Sequence, residues 1–447
     1  MELQQSPFLT LLSDRKVQQQ LTLMGRPKDA PLDPETAQQV CERTASAAVV
    51  EGSIARVGSK YVLGLRAKNC NTGDILDQDQ AVAGSREEVL NALEQIARKF
   101  RTKAGESLAT VEKHSTPLEA ATTPSMEALK AYTSGIRAAV FTGNASATPF
   151  LQRAVEIDPN FAIAQAQLGL SYSSDGESVL AAESTVRAWQ LRNRVSDFER
   201  YFIDFTYYRQ VTGNLEKAYQ TLELWLAAYP RAGDFGPATL MGGLSTHGTG
   251  RYERAIRGSQ EAIAADPDFT LGYGNLAASY FLTSRFAESE NVIKRAAERK
   301  LELPDLLLIP FNIAALKGNR EEMERAVTAA KGKRRVEHWI SHAQALAMAR
   351  SGRLRDAQQA SNQAVDLAMQ EGGREAAASY RSARSVWEAF YGNSAEAKRK
   401  ALAAMELSKG REVEYTAGFA LALSGDFAQD RKSTRLNSSH GYISYAV

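Results

Sequence analysis

No stretch of this 447-residue chain stays apolar for the roughly 18–20 residues that a membrane-spanning helix needs, so the chain reads as soluble. Residues 1–12 lack the basic start and apolar core of a secretory leader. Cysteine is nearly missing. Cys41 and Cys70 cannot build a disulfide framework and are expected as buried free thiols in a reducing compartment. A charge excess is lacking too. The net charge is +2, but 431–447 contribute Arg431, Lys432 and Arg435 with no acid; without them 51 basic residues stand against 52 acidic ones. So balanced a body offers no footprint for nucleic acid or an anionic membrane.

Catalytic machinery is equally hard to find. Kinase chemistry needs a glycine-rich loop, a strand lysine and the metal-binding and catalytic-loop aspartates, and none of these motifs occurs. The glycine-rich run 242–250 lacks the Gly-Lys-Ser/Thr ending that cradles phosphates, and is read as close helix packing and a turn. His338 and His342 have the spacing of a two-histidine metal site, but no glutamate follows His338 directly and no third ligand stands nearby. They are read as a solvated or groove-lining pair, and neither metal nor cofactor is expected. His114 and His247 have no acid or nucleophile at a telling distance. Lys331-Gly-Lys-Arg-Arg335 is the only dense basic cluster and reads as a solvated loop. The aromatic run Tyr201–Tyr208 reads chiefly as packing between helices. No catalytic role is expected of the chain.

What is there is repetition. A turn residue followed five positions later by a small residue recurs as Gly176/Ala181, Gly213/Ala218, Gly250/Ala255, Gly352/Ala357 and Gly392/Ala397. Weaker copies are Ser284/Ser289 and Gly318/Met323, and Gly425 opens another. The spacings cluster on 34 residues, the period of a two-helix hairpin. Glycine lets the chain leave the first helix in a left-handed conformation, and small residues let the two helices approach closely. Pro159, Pro230 and Pro267 close second helices, because proline cannot continue one.

Leu168-Gly169-x-x-Tyr172, Ala181, Ala188 and Leu276-Ala277-x-x-Tyr280 resemble the tetratricopeptide-repeat (TPR) signature. Ala147, Ala154 and Pro159 add a first copy near 128–161. The resemblance covers about two-thirds of the chain. It implies a mainly α fold, a TPR-type α-solenoid of about eight to nine hairpins over 125–430. Pro310, inside a first helix, and Met323, at a small-residue position, depart from the pattern. In such a fold the first helices line a groove that receives a protein or peptide. Carrying the family's inward positions across repeat by repeat points to Arg200, Tyr207, Gln210, His247, Phe281, Asn312, Trp339, His342 and Arg350.

Residues 1–112 read as a small α/β domain, with 113–124 as a linker. A strand is expected near Phe8–Leu12, helices over about 14–24 and 33–45, strands over 48–57, 60–70 and 75–83, and a helix over about 85–104 with Ser85 as its cap. Gln5-Ser-Pro-Phe, Cys41-Glu-Arg, Val50-Glu-Gly-Ser-Ile-Ala and Asn69-Cys-Asn-Thr-Gly-Asp74 resemble the FlgO/TolB-amino-terminal-like domain that precedes TPR arrays in bacterial signalling proteins. That resemblance implies a missing first strand and helix, hence a truncated domain with an unpaired sheet edge. It also implies an alternative to a free-standing scaffold: the non-catalytic C-terminal region of a serine/threonine kinase or of a winged-helix regulator. At the other end, 431–447 resemble translated adapter sequence and are expected to be a non-native disordered tail.

Overall fold

The left-handed turns that the repeat requires are present at every anchor. A computed structural model describes residues 2–425 except 28, 87, 118–121, 143, 231–236 and 302–304; at 15, 140–142, 144, 145, 237–239, 246, 247, 265 and 305 it describes the backbone alone. The tail 431–447 lies outside the described residues. Gly176, Gly213, Gly250, Gly318, Gly352, Gly392 and Gly425 all have positive φ, and Ser284 adopts the same conformation at φ 59° despite its Cβ. The small residues five positions on are buried, and Ser289 donates its hydroxyl to the Ala277 carbonyl at 2.8 Å.

The fold is mainly α, a TPR-type α-solenoid of antiparallel helical hairpins, with a small three-stranded sheet near its N-terminus. The N-terminal part holds α1 (Asp14–Leu23), α2 (Pro34–Arg43), β1 (Ala48–Val57), β2 (Lys60–Asn69), β3 (Ile75–Ala83), α3 (Val89–Lys103) and α4 (Leu108–Lys113). Hairpin helices follow: α5 (Met126–Thr142), α6 (Asn144–Ile157), α7 (Ala162–Ser174), α8 (Ser178–Gln190), α9 (Asp197–Thr206) and α10 (Leu215–Ala228). Next come α11 (Pro237–His247), α12 (Tyr252–Ala265), α13 (Thr270–Leu282), α14 (Phe286–Glu298), α15 (Asp305–Lys317) and α16 (Arg320–Ala330). The last are α17 (Val336–Arg350), α18 (Leu354–Gln370), α19 (Arg374–Phe390), α20 (Ser394–Leu407) and α21 (Arg411–Leu423). Pro310 is accommodated inside α15.

The chain divides into two compact units. Unit 1 comprises 1–171, 183–207 and 220–239; unit 2 comprises 172–182, 208–219 and 240 onward. In unit 1 the antiparallel sheet runs in the order β1-β2-β3. Leu63, Leu65 and Ala83 lie under Val89, Ala92 and Ile96 of α3, so one sheet face is core. In β1, Val50 and Ile54 stand opposite Ala67 and Leu63 on that same face, yet both remain exposed. β1 is an edge strand among the described residues.

Three expectations are corrected. The segment 8–12 is not a strand. Leu3–Gln5 form a 3-10 turn, and the Ser6 hydroxyl donates to Glu106 at 2.6 Å and accepts from the Phe8 and Leu9 amides, so the Phe8 and Leu9 amides are spent on a turn instead of a strand ladder. The helix expected from Ser85 begins at Val89 with no side-chain cap; Glu88 instead accepts from the Gly84 amide at 2.7 Å. Cys41 and Cys70 are not free thiols but a disulfide, their Cα atoms 5.4 Å apart, tying α2 to the end of β2. They are 29 residues apart in sequence, and it is the β1–β2 hairpin that returns Cys70 to α2.

Candidate groove residues and the exposed apolar row

The candidate groove residues fall in both units. In unit 1, α9 is started by a capping box in which Ser196 and Glu199 satisfy each other's backbone amides. Arg200, on its exposed side, pairs with Asp197 at 2.9 Å. Tyr207 stacks on Trp189 with ring centroids 4.4 Å apart, and the Arg192 guanidinium lies 3.5 Å from the Trp189 centroid. Tyr207 also opens a π-helical turn, Tyr207–Thr212.

In unit 2, Gln210 is buried within that turn, and its carbonyl accepts from Arg411 Nη2 at 2.9 Å. The side chain of His247 lies outside the described residues. Phe281 packs on the core of α13–α15 and meets Phe286 at 5.9 Å between centroids. Asn312 is half-buried on α15, and Arg350 is exposed at the end of α17.

Trp339 and His342 are brought together on α17. Trp339 packs against a core cluster formed by Ala364, Val365 and Ala368 of α18 with Ala377 and Tyr380 of α19. His342 stacks on Tyr380 at 4.2 Å, and the Tyr380 hydroxyl lies 2.6 Å from His338 Nδ1. Both histidines are pushed down to about 4, chiefly by burial; Arg335 adds to this at His338, and His338 adds to it at His342. The imidazoles are therefore neutral at neutral pH, and His342 Nδ1 is buried without a hydrogen-bond partner among the described residues. His338, read as solvated or groove-lining, is buried. Among the described residues no three His, Cys, Asp or Glu side chains group to hold a metal.

A more exposed surface lies where the sequence reading stopped. Counting back from the turn glycines, Arg350, Phe390 and Leu423 stand two residues before Gly352, Gly392 and Gly425. Leu346, Val386 and Phe419 stand six before, and His342, Ser382 and Tyr415 ten before. The same offsets thus recur on α19 and α21, filled mostly by apolar side chains. Leu346, Phe390, Tyr415, Phe419 and Leu423 are each 40–66% exposed. The Phe390 and Phe419 rings meet edge-on at 6.3 Å, which places the rows of α19 and α21 side by side. The spacing Tyr415, Phe419, Leu423 marks one helical stripe and was visible in the sequence.

Neither a protein-family model nor a curated protein matches the chain. Several solved structures are similar in fold. The type IV pilus biogenesis factor PilW is 17% identical, covering 47% of this chain and 94% of that one, with a TM-score of 0.33. PilF of Pseudomonas aeruginosa is 17% identical over 46% of this chain and 90% of its own, with a TM-score of 0.30. A tetratricopeptide repeat protein from Parabacteroides merdae is 13% identical over 55% of this chain and 93% of its own, with a TM-score of 0.35.

Proposed function

We propose that the chain is a protein-interaction module that holds a partner peptide on the inward-position side chains of its first helices, with its strongest hold at α17, α19 and α21. The observation that carries this reading is the exposed apolar row Leu346, Phe390, Tyr415, Phe419 and Leu423, on a chain whose other large apolar side chains in these helices are mostly buried. Aromatic anchors of this kind supply most of the binding energy in peptide recognition. No sign of charge dominates the row, which favours a peptide carrying apolar side chains over an acidic or basic one.

Selecting a displayed random-peptide library against the full chain tests this. Enrichment of peptides bearing aromatic or aliphatic side chains is expected. Phe390→Ser with Phe419→Ser should weaken the enriched peptides by about tenfold or more while leaving Tm in place, since both rings are exposed. Absence of enrichment, or equal binding by the double variant, overturns the reading. Placement of the chain in a bacterial signalling protein, behind a kinase or winged-helix domain, is proposed on the sequence resemblance alone. The reading frame upstream of Met1 in the native locus tests it.

A further inference from the structure

Within unit 2, two helix N-termini nearly 200 residues apart in sequence cap each other. Glu375, in the first turn of α19, accepts the Val179 amide of α8 at 3.3 Å and the Ser178 hydroxyl. In return Glu177, just before α8, accepts the Glu375 amide at 3.2 Å. Each carboxylate thus sits on the other helix's orphan donors, where the helix dipole favours a negative charge. Gly410 completes the nest, since a Cβ there would overlap the Glu375 carboxylate. Glu375 is buried and Glu177 half-buried, and among the described residues neither has an ion-pair partner.

The charges around the pair are all engaged elsewhere or face solvent. From the α7–α8 turn comes Asp175, which is ion-paired to Arg335. Arg335 itself has a left-handed φ of 67° and gives its amide to Glu371 at 2.8 Å. Glu371 also faces His338 at 3.8 Å. Arg374 donates to the Leu407 carbonyl at 2.9 Å, and Arg411 donates to the Gln210 carbonyl. Ser408 adds a hydrogen bond to Glu375, and Lys409 and Glu412 are exposed beside Gly410.

We propose that Glu177 and Glu375 form an acid-closed latch that holds the α7–α8 turn on the N-terminal end of α19 and releases it as pH rises. Two carboxylates stand on each other's helix ends, one buried and one half-buried, and among the described residues neither is ion-paired. Burial raises both groups above the ordinary carboxylate range, and the donors that favour the charged form only partly offset it: at Glu177 the Glu375 amide lowers the group while the charges of Glu375 and Asp175 raise it, and at Glu375 the opposing hydrogen bonds come from Ser178 and the Val179 amide. For an acid raised in the folded state, the stabilisation is complete below the unfolded value and is lost as pH rises through the folded value. Mild acid therefore closes the latch, and ionisation of both groups opens it.

Hydrogen exchange on the full chain tests this, with rates corrected for their intrinsic pH dependence. The Val179 and Glu375 amides should lose roughly tenfold in protection between pH 5 and pH 8. Glu177→Gln keeps the acceptor for the Glu375 amide and removes one charge, so it should hold the protection of both amides at pH 8. The Leu65 amide, inside β2, serves as the reference and should move with neither. A flat profile in the parent chain, or an unchanged slope in Glu177→Gln, overturns the proposal. If Glu177→Gln fails to fold, Ser178→Ala is read instead, and protection that still falls no faster than at Leu65 overturns it as well.

Discussion

Arg101 has no exposed surface, and its guanidinium is fully used. It forks onto Glu106 at 2.7 and 2.9 Å, donates to Ser115 at 2.9 Å and to the His114 carbonyl at 3.1 Å, and lies 3.6 Å from Glu2. Burial pushes Glu2 up to about 7, and Arg101 only partly opposes this. Glu106 goes the other way: burial raises it, but the hydrogen bonds from Arg101 and Ser6 win and hold it low. Because the folded Glu2 is raised, its contribution is complete near pH 4 and fades as pH rises through 7. The Gln5 amide, which donates to the Glu2 carbonyl, should lose about tenfold in exchange protection from pH 6 to 8, and Glu2→Gln should abolish that loss. A second residue-scale prediction concerns Gly213. Its φ is 67°, and a Cβ there would stand 2.5 Å from Arg411 Nη1. The guanidinium can move, so backbone strain dominates, and Gly213→Ala should cost about 1–2 kcal/mol, read as a lowered Tm. The glycine's role was legible from its repeat position. The Arg101 network was not, because it joins 2–6 to 101–116 through contacts that no local pattern encodes.

At the scale of the element, periodicity was informative wherever one face is buried. β1 and β3 keep the ranges read from alternation and turn residues, and β2 stops one residue short. The expected strand at 8–12 failed because a Ser-Pro turn anchored on buried Glu106 uses the Phe8 and Leu9 amides. The π-turn Tyr207–Thr212 was equally invisible, since one extra residue in a helix end leaves the apolar spacing almost unchanged. Small-residue positions carry the hairpin packing. Ala401 of α20 is buried against Ala417, Ala420 and Leu421 of α21, with Val386 beside them. Ala401→Leu adds volume where backbones approach closely, so it should destabilise by about 1–3 kcal/mol in urea unfolding, whereas Leu402→Ala, on the exposed side, should stay within about 0.5 kcal/mol. For the groove positions, register reasoning named candidates from Arg200 of α9 to Arg350 of α17. It did not carry them to α19 and α21, where Phe390, Tyr415, Phe419 and Leu423 are exposed, and it had no means to place Tyr380 under His342, a contact made 38 residues downstream.

At the scale of the molecule, an ordinary repeat array is held by nearest-neighbour contacts, so it frays from its ends. Unit 2 contains contacts of another kind. Asp175 meets Arg335 across 160 residues, Ser178 meets Glu375 across 197, and the Gln210 carbonyl meets Arg411 across 201. Each links an early turn of the array to the N-terminal end of α17, α19 or α21. Breaking any one hairpin therefore also strains bonds far along the chain, which couples segments that a linear array would leave independent. Residues 172–182 and 411–423 should lose hydrogen-exchange protection at the same urea concentration. Arg335→Ala with Arg411→Ala removes two of the three long-range ties while sparing the hairpin cores, because both side chains reach out to the turns. In that variant the two segments should separate and open at different urea concentrations. Segments that open separately in the parent chain would show that the long-range contacts add no cooperativity, and segments that stay together in the variant would assign the coupling to hairpin stacking alone.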